Sequence, residues 1–255
     1  MMEYGFVALC AFAASLVSFY SGFGLGTMLM PIVAIFVPLP IAIALTAVVH
    51  LLHNLVKTGF LWKEIDRSVV LRFGGAAILA AIPGAWLLGR LSILAPLRTY
   101  SFLDITSEVS LLHLLVGGLL ILFATLELLV KRGWSGQHLF LGGALSGFFG
   151  GLTGNQGAFR SAFLAHAHLG AKTFIGTNAA ISVCVDVIRL IFYGVSFWSL
   201  LMSLDPLLLA TALGGAFVGI FVGLAFLKKV AIGFIQKVIV VLLYGLGILI
   251  AMGLI

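Results

Sequence analysis

Six stretches of about twenty residues, 41-60, 70-90, 111-130, 173-194, 206-227 and 233-254, are apolar almost from end to end. As helices, each is long enough to cross the roughly 30 Å hydrocarbon core of a bilayer. A chain with so many such runs can satisfy them only in lipid and against one another. The composition agrees: of 255 residues, 62% are apolar and 9% charged, and the mean hydropathy is +1.26. Soluble domains need nearer a quarter of their residues charged. A soluble enzyme, a disordered tail and a nucleic-acid binder are therefore excluded, and the lipid bilayer is the first partner. The 31 Gly and 6 Pro fit that reading, because small residues let membrane helices approach closely and neighbouring helices re-satisfy freed backbone groups.

Two further apolar blocks, 4-38 and 139-169, are interrupted by glycine, at Gly22-Phe23-Gly24-Leu25-Gly26 and at Gly154-Asn155-Gln156-Gly157. The pieces after the breaks, 27-38 and 158-169, would reach only ~18 Å as helix, too short to span. They read as half-helices. Sliding the sequence by 132 residues pairs Gly22 with Gly154, Ala47 with Ala179, Asn54 with Asp186, Lys57 with Arg189 and Phe60 with Phe192. A constant offset over such a length is the mark of a duplicated unit. The expected fold is an all-α integral membrane protein of about 8-10 membrane segments. It forms one membrane domain of two repeats, 1-131 and 132-255, each with a glycine-broken helical hairpin and three full transmembrane helices.

The formal charge of +6 is concentrated between the apolar runs and near their ends, at Lys57, Lys63, Arg67 and Arg72, at Lys131 and Arg132, and at Lys228, Lys229 and Lys237. Basic connections mark the cytoplasmic side. The connection 61-69 is basic, whereas its repeat counterpart 195-205 has no basic residue and contains Asp205, so the copies read as inverted. The N- and C-termini are then outside, with 131-138 and 228-232 inside. In the segment 91-110, nominally outside, the charges flanking and within it (Arg90, Arg98, Asp104, Glu108) cancel. The N-terminus carries Glu3 rather than a basic flank and is read as retained. Cys10 and Cys184 lie in apolar runs and imply no disulfide framework.

Inverted repeats with broken helices are the architecture of secondary transporters, in which half-helix N-termini face the substrate near mid-membrane. Free amides at a helix start favour an anion, and glycine permits its close approach. The expected substrate contacts are Gly22, Gly24, Gly26 and Thr27 in the first copy and Gly154, Asn155, Gln156, Gly157, Arg160 and Ser161 in the second, with Arg189 as a further contact. Arg160 leads, because a guanidinium deep in an apolar block is costly unless paired or in a wet cavity, and its planar fork suits an oxyanion. Its counterpart is Met28, so the site would be asymmetric. The alternative is an arginine that satisfies carbonyls at a helix break or snorkels to the interface.

Asp186 and Arg189, three apart on one helical face, could simply neutralise each other, or Asp186 could orient Arg189 or accept a coupling proton. His50, His53 and Asn54, with Thr46 a turn earlier and Thr177 and Asn178 in the matching turn of the second copy, are candidates to line the cavity or carry a coupling ion; packing histidines are the plainer reading. Lys57 is expected to snorkel. No His, Cys, Asp or Glu grouping has metal spacing, no cofactor is implied, and no catalytic constellation stands out. Small-residue faces such as Gly214, Gly215 and Gly219 could serve contacts within the chain or in a homodimer.

The glycine-broken block at 22-31 ending in Pro31, the polar span after it, and the second copy beginning Ser146-Gly147-Phe148-Phe149-Gly150-Gly151-Leu152-Thr153-Gly154 resemble the TauE/SafE sulfite-exporter family, also called the toluene sulfonate uptake permease family. The resemblance implies a prokaryotic-type plasma-membrane (inner-membrane) transporter of sulfur-containing anions such as sulfite or organosulfonates, driven by an ion gradient, with both glycine regions near the substrate. Asn155, Gln156 and Arg160 stand where the family commonly has smaller residues, which leaves the particular substrate open while adding donors and positive charge. The residues alone reach only an anion carried across a membrane, for which a secondary carrier is the first reading. An anion channel on the same scaffold is the alternative, and a membrane enzyme the weakest reading.

Overall fold

A computed structural model describes the chain except residues 1, 22–24, 103–104, 132–137, 165–166, 168, 197–201, 203–204 and 226–231. Helix α1, Met2–Ser21, is followed after the first glycine break by the short α2, Leu25–Val33, and then by α3, Leu39–Phe60. A 3-10 turn at Trp62–Glu64 leads into α4, Arg67–Ser92. Two strands, β1 (Arg98–Phe102) and β2 (Ile105–Val109), precede α5, Leu111–Lys131. The second half repeats the order: α6, Leu139–Thr153; the short α7, Gly157–Leu164; α8, Ala171–Ser196; α9, Pro206–Ala225; and α10, Ile232–Ala251.

The protein is thus an all-α membrane protein. Each of the six apolar runs forms a helix, and four helices are long and apolar enough among the described residues to cross a membrane. Their outward faces carry Leu71, Leu79, Trp86, Val218 and Phe221, all exposed, while Thr46, His50, His53, Asn54, Lys57, Arg160, Asp186 and Arg189 are buried inside. This polarity, apolar outside and polar within, suits hydrocarbon as solvent, since polar groups on the lipid face would lose their partners.

Both hairpins double back. Phe6 near the start of α1 meets Phe36 just beyond α2, with ring centroids 6.2 Å apart, and Gly142 near the start of α6 abuts the Phe163 side chain at the end of α7. The first half-helix ends at Val33, short of the 27-38 expected, and of the 158-169 expected for the second, Leu169 lies outside α7. The chain turns at Ala34–Phe36, and Pro38 with its fixed φ initiates α3. The segment 91-110 is not merely a loop: Arg98 to Phe102 pairs antiparallel with Ile105 to Val109. Tyr100 donates from its hydroxyl to the Met252 carbonyl, tying this hairpin to the C-terminal end of α10.

Helix packing couples the halves reciprocally. Helix α1 packs along α9 and α6 along α4, while α3 packs on α8 and α5 on α10. Glycines permit the closest approaches. Gly143, Gly147 and Gly151, one turn apart on α6, lie against the Phe73, Ala77 and Ala81 carbonyls of α4, and Gly215 of α9 lies against the Ala8 carbonyl of α1. No side chain could intervene at these positions, so the backbones themselves form the interface. Of the small-residue face on α9, Gly215 and Gly219 are spent inside the chain, and Gly214 faces open space.

Candidate functional site

The two glycine breaks meet. A Cβ on Gly26, in the first turn of α2, would stand 3.2 Å from the carbonyl oxygen of Gly154, where α6 ends. Gly154 closes α6 in the left-handed conformation, φ 80° and ψ −2°, and its N–H donates to the Gly150 carbonyl. An L side chain is strained in that conformation, which explains why the chain turns here at glycine. Residues 154–157 are buried throughout, and Ser146 on α6 donates to the Gln156 carbonyl at 3.1 Å, fixing the loop. Helices α2 and α7 therefore both start at this junction, each with first-turn amides that lack intrahelical acceptors.

Around the junction lies a buried polar cluster drawn from both halves. His50 Nδ1 on α3 is 2.6 Å from Asp186 Oδ2 on α8. The other carboxylate oxygen accepts from Gln156 Nε2 at 3.3 Å and lies 3.0 Å from Arg189 Nε. Arg160 on α7 donates from Nε to Asn178 Oδ1 on α8. Asn54 donates to the His50 carbonyl, 2.8 Å away, which orients its amide beside the imidazole.

Both guanidinium groups are under-used by the protein. Arg160 is 2% exposed and Arg189 1%, yet Arg160 Nη1 and Arg189 Nη2 make no hydrogen bond, and neither do both polar atoms of Asn155 nor Gln156 Oε1. Buried donors without acceptors are costly, and buried charges more so. Two arginines face one carboxylate, Asp186, and Lys57 lies within electrostatic reach of Arg160. The cluster carries surplus positive charge and three unmatched donors, Arg160 Nη1, Arg189 Nη2 and Asn155 Nδ2, which an oxyanion would satisfy, whereas the Asn155 and Gln156 amide oxygens are acceptors.

The sequence-based residues divide accordingly. Gly26, Gly154, Gln156, Arg189, His50, Asn54 and Asp186 meet at the junction, and Arg160 is tied there through Asn178 on α8. Thr27, Asn155 and Gly157 are buried beside the breaks, Ser161 is half-buried on α7, and Thr46 is buried one turn before His50 with its hydroxyl unpartnered. Gly22 and Gly24 lie outside the described residues. Two candidates turn elsewhere. Thr177 accepts from the Asp66 backbone N–H and holds the start of α8 to the connection before α4. His53 Nε2 is 2.9 Å from the Ser15 hydroxyl on α1.

Asp186 and Arg189 do pair, but Asp186 also reaches across to the other half through His50. Lys57 does not snorkel. It is 3% exposed and its Nζ donates to the Ser18 carbonyl on α1. The signal was present: His50, His53, Asn54 and Lys57 share the i, i+3, i+4, i+7 face of one helix. Ser15 and Ser146, small hydroxyls inside apolar runs, are the other participants that sequence reasoning passed over.

No curated protein and no solved structure matches the chain. The family model described as Sulfite exporter TauE/SafE matches residues 7–250, a span that contains both glycine breaks and the whole buried cluster. The chain belongs to the sulfite exporter TauE/SafE family of membrane transporters.

Proposed function

We propose that this transporter is a secondary carrier for a small sulfur-containing oxyanion, sulfite or an organosulfonate, held between the N-termini of α2 and α7. The observation that carries the reading is the junction of Gly26 with the Gly154 carbonyl beside two buried guanidinium groups that hold unmatched donors. Helix starts and glycine backbone admit the anion closely, Arg160 and Arg189 neutralise it, and Asn155 and Gln156 add neutral hydrogen bonds. Units 1-131 and 132-255 act as inverted repeats that rock about this site. Reciprocal packing of α1 on α9 and α6 on α4 supports that symmetry. The basic connections face the cytoplasm across the plasma membrane, leaving both termini outside.

Arg160→Gln tests the site. It removes charge while keeping length and a hydrogen-bonding tip. Purified wild-type protein should gain thermal stability with sulfite or a sulfonate, because a ligand bound to the native state stabilises it. Arg160→Gln should unfold at a temperature close to wild type without anion and lose the gain. Wild-type sulfite binding by folded Arg160→Gln would remove Arg160 from the site. Flux in proteoliposomes that saturates and shows counterflow supports a carrier, whereas unitary currents would make the same site that of a channel.

A further inference from the structure

His50 occupies a position that the anion site alone does not explain. Its Nδ1 faces Asp186 Oδ2 at 2.6 Å, while the opposite edge of the ring faces the glycine junction. A Cβ on Gly26 would stand 3.6 Å from His50 Cδ2 and 3.9 Å from Nε2, and 3.2 Å from the Gly154 carbonyl. One imidazole thus links the carboxylate of one half to the place where the two hairpins meet.

Resting on the anion site proposed above, we propose that His50 is the proton-binding residue of this transporter, taking up one proton together with the anion. The neutral ring carries one N–H, which the ionised Asp186 claims at Nδ1. A proton from the aqueous side adds the second N–H at Nε2, turned toward the oxyanion, and supplies a positive charge beside it. Anion and proton then each favour the binding of the other, and the linkage is reciprocal. The proton leaves as the anion leaves, so no proton or charge is stranded in the bundle.

The neighbouring groups single out this residue. The charged side chains acting on His50 are Asp186 and Arg189 from α8 and Arg160 from α7. Helices α2 and α9 carry no titratable side chain, and along α3 itself stand His53 and Lys57. Asp186 is held by Arg189 and Gln156 as well as by His50, so protonating it would strand a buried guanidinium. Ser15 donates to the Ala216 carbonyl at 2.7 Å and so accepts from His53 Nε2–H. The remaining His53 nitrogen, Nδ1, is buried with no hydrogen-bond partner, and a proton there would be an unmatched donor on the same helix as Lys57. Among the described histidines, His50 has an acceptor on one side and the anion junction on the other.

Sulfate and methanesulfonate do not titrate near neutral pH, so either reports protons taken up by the protein. The full-length chain, purified in detergent with a pH dye and little buffer, should take up as much as about one proton per anion bound above the ordinary histidine range. Its affinity should fall about tenfold per pH unit there. His50→Gln and His50→Asn should bind with an affinity independent of pH and without proton uptake. In wild-type protein with labelled histidine, one imidazole signal should become imidazolium on adding sulfate, a reading that needs no variant. Anion binding without proton uptake, uptake that persists in folded His50 variants, or no histidine signal that changes would each overturn the role of His50 while leaving the anion site standing. Wild-type protein that binds neither anion at any pH would instead overturn the anion site, and this proposal with it.

Discussion

Gly154→Ala is the most informative change at the junction, because two separate constraints meet there. The residue stands at φ 80°, where an L side chain costs about 1–2 kcal/mol. The added Cβ would also fall on Arg189 Nη1, so the guanidinium must move, and its 3.0 Å approach to Asp186 is at stake. Loss of a buried charged contact costs roughly 1.5–3 kcal/mol. The total is about 1–2 kcal/mol if Arg189 swings aside intact, and about 2.5–5 kcal/mol if the pair breaks. Thermal unfolding in detergent reads that total. Anion-induced stabilisation reads whether Arg189 has left the site, and should weaken about tenfold or more in apparent affinity if it has. Gly170→Ala is the control, since a Cβ there meets open space, and it should behave as wild type. A Gly154→Ala protein with unchanged unfolding and unchanged anion response would refute the claim that this glycine shapes the site.

Two neighbouring glycines on α9 make a second comparison. Gly215→Ala should destabilise by about 1–3 kcal/mol because its Cβ would strike the Ala8 carbonyl, whereas Gly214→Ala, facing open space, should be neutral or slightly stabilising in the same unfolding assay. Asp205 caps α9 by accepting from the Leu207 N–H at 2.9 Å. That bond, helped by the Tyr4 hydroxyl against partial desolvation, holds the carboxyl below its ordinary value of 3.8. A depressed folded value means stability that is present above the ordinary value and lost as pH falls through the folded one. The difference in melting temperature between wild type and Asp205→Asn should therefore be steady near neutral pH and shrink below about pH 4; a constant difference would show that the cap does not act through its charge.

How much of this was legible in the sequence follows from what each signal depends on. Membrane helices follow from run length and hydropathy, which are local, so α3, α4, α5, α8, α9 and α10 match the apolar runs closely. The broken hairpins were legible because glycine at a turn is a local requirement. The end of α2 was not, since apolar residues continue past it and only the turn at Ala34–Phe36 and the start of α3 decide where helix stops. The β1–β2 pairing was not legible although Thr99, Tyr100, Ile105 and Thr106 favour strand, because two strands of 5 residues each are too short for an alternating pattern to stand out. Within the site, Arg160, Asp186 and Arg189 stood out as charges in apolar runs. What no local pattern could give is the partner across the interface: the His50 contact to Asp186 joins residues 136 apart. Whether Lys57 turned inward depended on α1 packing against α3 to offer the Ser18 carbonyl.

Selenate places a strong anomalous scatterer on a tetrahedral oxyanion of nearly the same shape as sulfate. Diffraction from the protein crystallised with it would locate the bound anion without reference to any variant. The account predicts one buried anomalous peak between the first turns of α2 and α7, within hydrogen-bond reach of the Arg160 guanidinium and beside Gly26 and Gly157. A peak confined to the surface, for example near Arg98 and Tyr100, with none at the junction of the two hairpins, would contradict it.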